Sequence, residues 1–248
     1  MKIIGSDYDG TLNFNGIDDR KRAAIEKWRD AGNVFTVISG RAVQSVQDLQ
    51  NEQTFGCDYY IGSNGARIVN GDGETVFMAP CKQELMIPLL TFLFELDCPI
   101  GIMHTDPPCY ILPTADKCTR AEDYPFDNMP DIPFYTQIST FVGSFEEASV
   151  IAAKVRERFG EDFNPLQNGN CIDIVRADIN KAQGLYRLAE LVGAGYDDII
   201  AVGDNINDRD MIAEFRSYAM ENGVDEIKAL AKFTTPGVAE LIARELGE

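Results

Sequence analysis

The sequence predicts an α/β fold: a doubly wound, Rossmann-like parallel-sheet core interrupted by an inserted α+β domain. Three observations predict it. Short β-branched runs alternate with helical patterns from residue 2 to about 62, and again from about 181 to the end, as in strands buried on both faces by crossover helices. Between these stretches the texture changes, and residues 81–178 hold nine of the 11 prolines. The chain has 248 residues, 45% hydrophobic and 25% charged, an ordinary globular composition long enough for a core and an insert.

The elements follow in order. Lys2-Ile3-Ile4-Gly5 is a short strand that runs into SDYDGTLN at 6–13. DDRKRAAIEKWRDAGN (18–33) is a helix with Ala24, Trp28 and Ala31 on one face, Asp18 or Asp19 as cap, and Gly32 or Asn33 as its stop. VFTVIS (34–39) is a buried strand, followed after Ser39-Gly40-Arg41 by a helix from Ala42 to about Gln50. DYYIG (58–62) is a third strand, and ARIVNGDGETVFMA (66–79) is a hairpin around Asn-Gly-Asp-Gly.

Within 81–178 the expected elements are a helix near 82–96, strands IGIMH (100–104) and FYTQISTFV (134–142), a helix from Glu146 to Phe159 and a strand CIDIVR (171–176). The tract YPFDNMPDIP (124–133) is loop-like. The helix KAQGLYRLAELVG, the strand in DDIIAVGD, a helix from Asp208 and one after Pro236 then restore the α/β texture. Segments 1–80 and 179–248 are therefore expected to build one core, and 81–178 a separate domain.

The bulk numbers exclude several functions. A net charge of -18 with no basic run opposes a nucleic-acid or anionic-membrane surface. The six cysteines form no CxxC pair and no metal-ligand spacing with the single histidine, which fits free thiols in a reducing cytoplasm. MKIIGSDYDG carries no signal-peptide pattern, and no window approaches a membrane span. A soluble, cytoplasmic protein is expected, with no protein partner indicated.

In an open parallel sheet the functional crevice lies at the carboxyl ends of the strands. Asp7 and Asp9 follow the first strand, Ser39 and Gly40 the second, and GDNIND (203–208) the strand IIAV, while Lys181 opens the preceding helix. Each piece has an ordinary structural reading. Asp-Gly-Thr makes turns, Ser-Gly enters helices, a lysine is usually solvated, and Asn and Asp cap. Together, in this order and on this frame, they point to chemistry.

These residues resemble the haloacid dehalogenase superfamily of phosphohydrolases, and within it the Cof-like subfamily. The motifs are DYDGT at 7–11, VISGR at 37–41, Lys181 in ADINKAQGL, and GDNINDRDMI at 203–212; GSNGA at 62–66 resembles the segment entering the family's inserted cap. The match runs from residue 7 to 212, and its first and last motifs are highly specific. Ala182-Gln183-Gly184 stands where Lys-Gly is commoner, leaving the lysine intact.

The resemblance implies a HAD-type core with a cap at 81–178, and a Mg2+-dependent phosphatase acting on small phosphorylated metabolites, sugar phosphates foremost. Asp7 would attack phosphorus and carry an aspartyl phosphate, and Asp9 would serve as general acid and then base. Two like charges at close range repel by on the order of 4 kcal/mol, so Mg2+ and Lys181 would offset the meeting of carboxylate and phosphate. Asp7, the Asp9 carbonyl and Asp204 would bind the metal, with Asp208 either a ligand or an orienting residue. Ser39, Gly40 and Asn207 would hold phosphoryl oxygens. His104, Arg120 and the tyrosines of the insert stay open between substrate contact and structure. A phosphomutase of the phosphomannomutase type shares the same aspartate pair. A receiver-type phosphoacceptor fits less well, since its acidic site follows the third strand and it needs no cap, and a silent binding module would not keep every motif residue.

Overall fold

A computed structural model of the protein describes residues 1–53, 55–98, 101–106, 108–112, 123–125 and 132–248. In chain order its elements begin with β1 (Ile3–Asp7), α1 (Asp19–Asp30), β2 (Val34–Ile38), α2 (Val43–Gln53), β3 (Tyr59–Gly62), β4 (Arg67–Asn70) and β5 (Thr75–Met78). There follow α3 (Met86–Glu95), β6 (Gly101–Met103), β7 (Cys109–Leu112), β8 (Asp123–Pro125), β9 (Gln137–Phe141), α4 (Phe145–Phe159), β10 (Phe163–Asn168) and β11 (Cys171–Arg176). The chain ends with α5 (Lys181–Val192), β12 (Ile199–Gly203), α6 (Arg209–Glu214), β13 (Arg216–Met220), α7 (Asp225–Leu230), β14 (Phe233–Thr235) and α8 (Val238–Leu246). Two compact units divide it: Met1–Phe77 with Lys181–Glu248, and Met78–Asn180.

The first unit carries an eight-stranded sheet in the order β14-β13-β12-β1-β2-β3-β4-β5. Strands β14 to β3 pair in parallel, and β4 turns back antiparallel on β3. Strand faces alternate as a two-sided core requires. Ile4, Phe35, Val37, Ile200 and Val202 join Trp28 of α1, Val46 of α2 and Leu241 of α8 in one layer. Ile3, Ile38, Ile199 and Ala201 join Leu185 and Leu188 of α5 and Met211 of α6 in the other. This explains why VFTVI reads as a continuous apolar run.

β1 lies between β12 and β2, the two directions in which the chain grows outward. That position is the switch point of an open α/β sheet, where ligands bind. Register fixes the floor of the site: Asp7 pairs with Ile38, and Ser6 with Val202.

Local details depart from the expected pattern in instructive ways. Asp18, not Asp19, caps α1, accepting the Lys21 amide at 2.9 Å. The buried face of α1 is Ile25 and Trp28, while Ala31 is exposed. Trp28 sets that face because its indole N–H reaches the Val34 carbonyl at 2.8 Å. β13 and β14 lay unseen in the sequence, since RSYAM and FTT are short and half polar. The helix expected from Asp208 is preceded by a 3-10 turn, Ile206–Asp208.

Gly184 has a steric reason to be glycine. A methyl group there would lie 2.7 Å from the Gly65 Cα and 3.0 Å from Ile61 Cγ2, so α5 sits directly on the Ser63–Gly65 turn. Helix propensity favours alanine by about 1 kcal/mol, but backbone overlap costs about 1–3 kcal/mol or more. Gly184→Ala is expected to lower the urea midpoint; an unchanged or higher midpoint would show that the contact yields freely.

The second unit has a six-stranded sheet in the order β10-β11-β9-β6-β7-β8, antiparallel except for β7 and β8. β10, another strand missed in the sequence, holds Pro165 at the sheet edge, where a missing N–H is tolerated. α3 and α4 pack Leu89, Leu93, Ile151 and Val155 against Ile138, Ile172 and Ile174. The Ser144 hydroxyl caps α4 by accepting the Glu147 amide at 3.1 Å. Arg120 and most of the loop-like tract lie outside the described residues.

His104 is buried in this unit, its backbone N–H donating to the Gln137 carbonyl at 2.9 Å. Burial lowers its pKa from 6.5 to about 4. The sign follows directly. Below pH 6.5 the unfolded chain takes up a proton that the native imidazole refuses until about pH 4, so this stabilisation is present at neutral pH and lost on acidification. The loss amounts to roughly 3 kcal/mol. His104→Gln should flatten the fall of Tm between pH 6.5 and 4 relative to wild type. Parallel curves would count against a buried neutral histidine.

Candidate active site

Asp7 is the last residue of β1, and its carboxylate is turned into the protein rather than into water. Its Oδ1 accepts the Lys181 ammonium at 2.6 Å, and the same Nζ donates to Asp208 Oδ1 at 2.6 Å. All three side chains are buried, Lys181 and Asp208 completely. Lys181 can reach because it is the first residue of α5, set against the strand ends.

Asp208 spends its other oxygen on the backbone. Oδ2 accepts the amides of Asp204 at 2.9 Å and Asn205 at 3.1 Å, closing the turn after β12. Between those amides and Lys181, both oxygens have donors. Asp208 thus acts as the organiser of the turn and the anchor of the lysine. Gly203 makes room for it, since a methyl there would lie 2.4 Å from Asp208 Oδ2.

Asp204 is held from the first loop: its Oδ1 accepts the Thr11 hydroxyl at 2.6 Å. Gly10 has φ of +81°, open to glycine, and a methyl there would lie 2.4 Å from Asp204 Oδ2. DGT is therefore a turn with two duties, bringing a hydroxyl to Asp204 and leaving space beside its free oxygen. Asn222 braces the same turn, donating Nδ2 to the Gly10 carbonyl at 2.9 Å, and the Val224 amide holds the Asp204 carbonyl at 2.9 Å. Thr11's partner and Asn222 were missed in the sequence; ENG at 221–223 reads as a plain turn.

The electrostatics call for a further cation. One ligand oxygen from each of Asp7, Asp204 and Asp208 lies within 4.8 Å of the others, and among the described residues the Lys181 ammonium alone pairs with this cluster, at Asp7 and Asp208. Burial raises the Asp7 pKa well above its ordinary value, with Lys181 opposing and Asp208 and Asp204 adding to the rise. Burial likewise pushes Asp204 up to about 6, against the pull of the Thr11 hydrogen bond and aided by Asp208. Lys181 stays protonated: burial opposes its charge, but Asp208 and Asp7 outweigh it. Among the described residues one oxygen of Asp7 and one of Asp204 have no donor, and an all-oxygen set of this kind suits a hard divalent cation.

The remaining predicted residues fall around this centre. Ser39 is buried at the end of β2, its hydroxyl accepting the Arg41 amide at 3.2 Å and its carbonyl the Asn64 amide at 3.0 Å. Gly40 follows in the bend, and Asn207 is half-buried in the 3-10 turn. Asp9 points elsewhere: its carboxylate is half-exposed and paired with Arg41 through Nε at 2.6 Å and Nη2 at 2.9 Å. The side chain of Asp9 is not part of the carboxylate cluster.

A sequence profile of the haloacid dehalogenase-like hydrolases matches residues 4–241. The chain belongs to this family, and it is a phosphatase. Among its relatives is the 5-amino-6-(5-phospho-D-ribitylamino)uracil phosphatase YbjI of Escherichia coli, 27% identical over 252 residues and covering 94% of this chain and 90% of that one. The HMP-PP phosphatase of Yersinia pestis is 21% identical over 240 residues, covering 92% and 86%. The solved structure of the HAD subclass IIB sugar phosphatase BT4131 superposes with a TM-score of 0.79 at 19% identity, covering 100% and 99%, and shares the fold. Among the described residues no helix is long and apolar enough to cross a membrane.

Proposed function

We propose that this phosphatase is Mg2+-dependent and hydrolyses small phosphorylated metabolites, sugar phosphates foremost, through an aspartyl phosphate on Asp7. The observation that carries it is the Asp7–Lys181–Asp208 chain, which holds one buried Asp7 oxygen and leaves the other without a donor among the described residues. Asp7 and Asp204, with the Asp9 carbonyl, would hold the cation, and Asp208 would orient the turn. A bound Mg2+ would supply the positive charge that the three carboxylates lack.

The chain's own groups then divide the work. An Asp7 oxygen bonds to phosphorus as the ester P–O bond breaks, and Asp9, turned out of the Arg41 fork and protonated from solvent, gives that proton to the departing oxygen. Water next attacks phosphorus, its proton passes to Asp9, and the Asp7–phosphorus link breaks to free inorganic phosphate. Ser39, the Gly40 amide and Asn207 hold phosphoryl oxygens, and Lys181 offsets the growing charge. The Met78–Asn180 unit is assigned the part of a cap that selects the leaving group. Relatives named for a ribitylamino-uracil phosphate, for HMP-PP and for sugars share only a small, polar phosphorylated substrate. Among the described residues the thiols of Cys57, Cys81, Cys98 and Cys171 are free, which supports a cytoplasmic setting.

The test is phosphate release from a panel of phosphorylated metabolites, with Mg2+ and after chelation. Sugar phosphates are expected to lead the panel without any bisphosphate activator, and chelation to cut turnover about a thousandfold. Turnover that survives chelation would refute the metal role, and isomerised sugar phosphate in place of free phosphate would favour a mutase.

A further inference from the structure

Helix α4 packs Ala148, Ile151, Ala152 and Val155 into the core of the second unit and turns its other side to water. On that outer side Val150 is 54% exposed, with exposed Glu146, Ala153 and Lys154 around it. A groove of about 350 Å3 runs along this side, lined by Leu96, Glu146, Glu147, Val150, Ile151 and Lys154. Glu147, Val150, Ile151 and Lys154 stand at i, i+3, i+4 and i+7. Those four positions form the hole that receives a side chain from a facing helix.

The charges beside the groove are placed symmetrically about Val150. Glu146 lies four residues before it and Lys154 four residues after. Among the described residues neither has an ion-pair or hydrogen-bonding side-chain partner. Their charged neighbours on the helix are engaged within the unit. Glu147 accepts the Gly143 amide at 2.8 Å, Arg156 donates to the Pro165 carbonyl at 3.0 Å, and Arg158 lies 4.7 Å from the centre of the Phe92 ring.

We propose that this face pairs with the same face of a second copy of the chain, α4 against α4, antiparallel across a two-fold axis beside Val150. In that arrangement residues equally spaced before and after Val150 face each other. Glu146 of each copy then meets Lys154 of the partner subunit, and each Val150 enters the other's groove. Charge selects this occupant. The chain carries -18, so two copies repel overall. Helix α4 is the exception: Glu146, Glu147 and Glu157 are balanced by Lys154, Arg156 and Arg158. A basic or purely apolar partner would leave one of the two unpaired charges unanswered, while the two-fold image answers both. Antiparallel alignment also sets the acidic end of each helix over the basic end of the other. One helix pair buries little surface, so the dimer is a weak one.

The experiment is sedimentation of the full chain from about 1 μM to 1 mM, a span that brackets weak association. A monomer–dimer equilibrium is expected. Glu146→Lys and Lys154→Glu each turn two attractive pairs per dimer into repulsive ones, and each alone should weaken association at least about tenfold. An equimolar mixture of these two variants should recover dimer to within about threefold of wild type, because both contacts of the mixed pair are again opposite in charge. Val150→Glu brings two carboxylates together at the axis and should abolish the dimer, and all three side chains are exposed, so the monomer fold is kept. A wild type that stays monomeric throughout, a dimer indifferent to the three variants, or a mixture no more associated than its components would overturn the proposal.

Discussion

Asp7→Asn is expected to lower turnover at least about a thousandfold while leaving the protein folded. An amide oxygen can still accept the Lys181 hydrogen bond, so the side chain keeps its place. It is a far weaker nucleophile toward phosphorus, and the route through a covalent intermediate closes. Stability should hold or rise without metal, because Asp7 is a buried acid held among like charges, with its pKa raised first by burial. Substitutions that relieve such sites commonly stabilise at the expense of activity. The checks are steady-state turnover on the best panel substrate and Tm after chelation. Turnover within tenfold of wild type would remove Asp7 from the reaction.

Lys181→Met is expected to damage both fold and activity. The lysine is wholly buried and donates 2.6 Å hydrogen bonds to two carboxylates. Methionine fills similar space but leaves Asp7 and Asp208 buried without a cation, a loss of about 3–5 kcal/mol for breaking such a pair. In a chain of this length that corresponds to roughly 10 °C in Tm. Turnover should fall about 100- to 1000-fold, the usual scale for losing an electrostatic stabiliser. Mg2+ should restore part of the lost Tm, since it supplies charge to the same carboxylates. A variant as stable as wild type would mean that Lys181 is not the counter-ion on which these acids depend.

Much of this was legible in the sequence, and residue types explain why. VFTVI and IIAVG are continuous apolar runs, so they announce strands covered on both faces. GDNIND and DYDGT carry their acids at strand ends, and the switch-point rule alone places them on one side of the sheet. β13, β14 and β10 were not legible: each is short and half polar, and neighbours decide its conformation. Within the site, strand-end position and the family resemblance together brought Asp7, Lys181, Asp204 and Asp208 into one group. It could not reveal that Asp208 is consumed by Lys181 and two amides, or that Asp9 turns to Arg41. Those partners depend on side-chain direction after a turn, which no periodicity records. The face of α1 shifted for a similar reason, a single indole hydrogen bond choosing among small residues.

The central place of β1 has a consequence for biosynthesis. One of its edges is satisfied early by β2, but the partner on the other edge, β12, is translated only after the whole Met78–Asn180 stretch has emerged. At about 5–20 residues per second, Ile3–Asp7 waits on the order of 10–40 s with one row of amides and carbonyls unclaimed. A nascent chain in that condition is open to mispairing with its neighbours. Ribosome-bound fragments ending before residue 199 should therefore be the most chaperone-dependent and protease-sensitive, and Asp7 is among the last residues to find its surroundings.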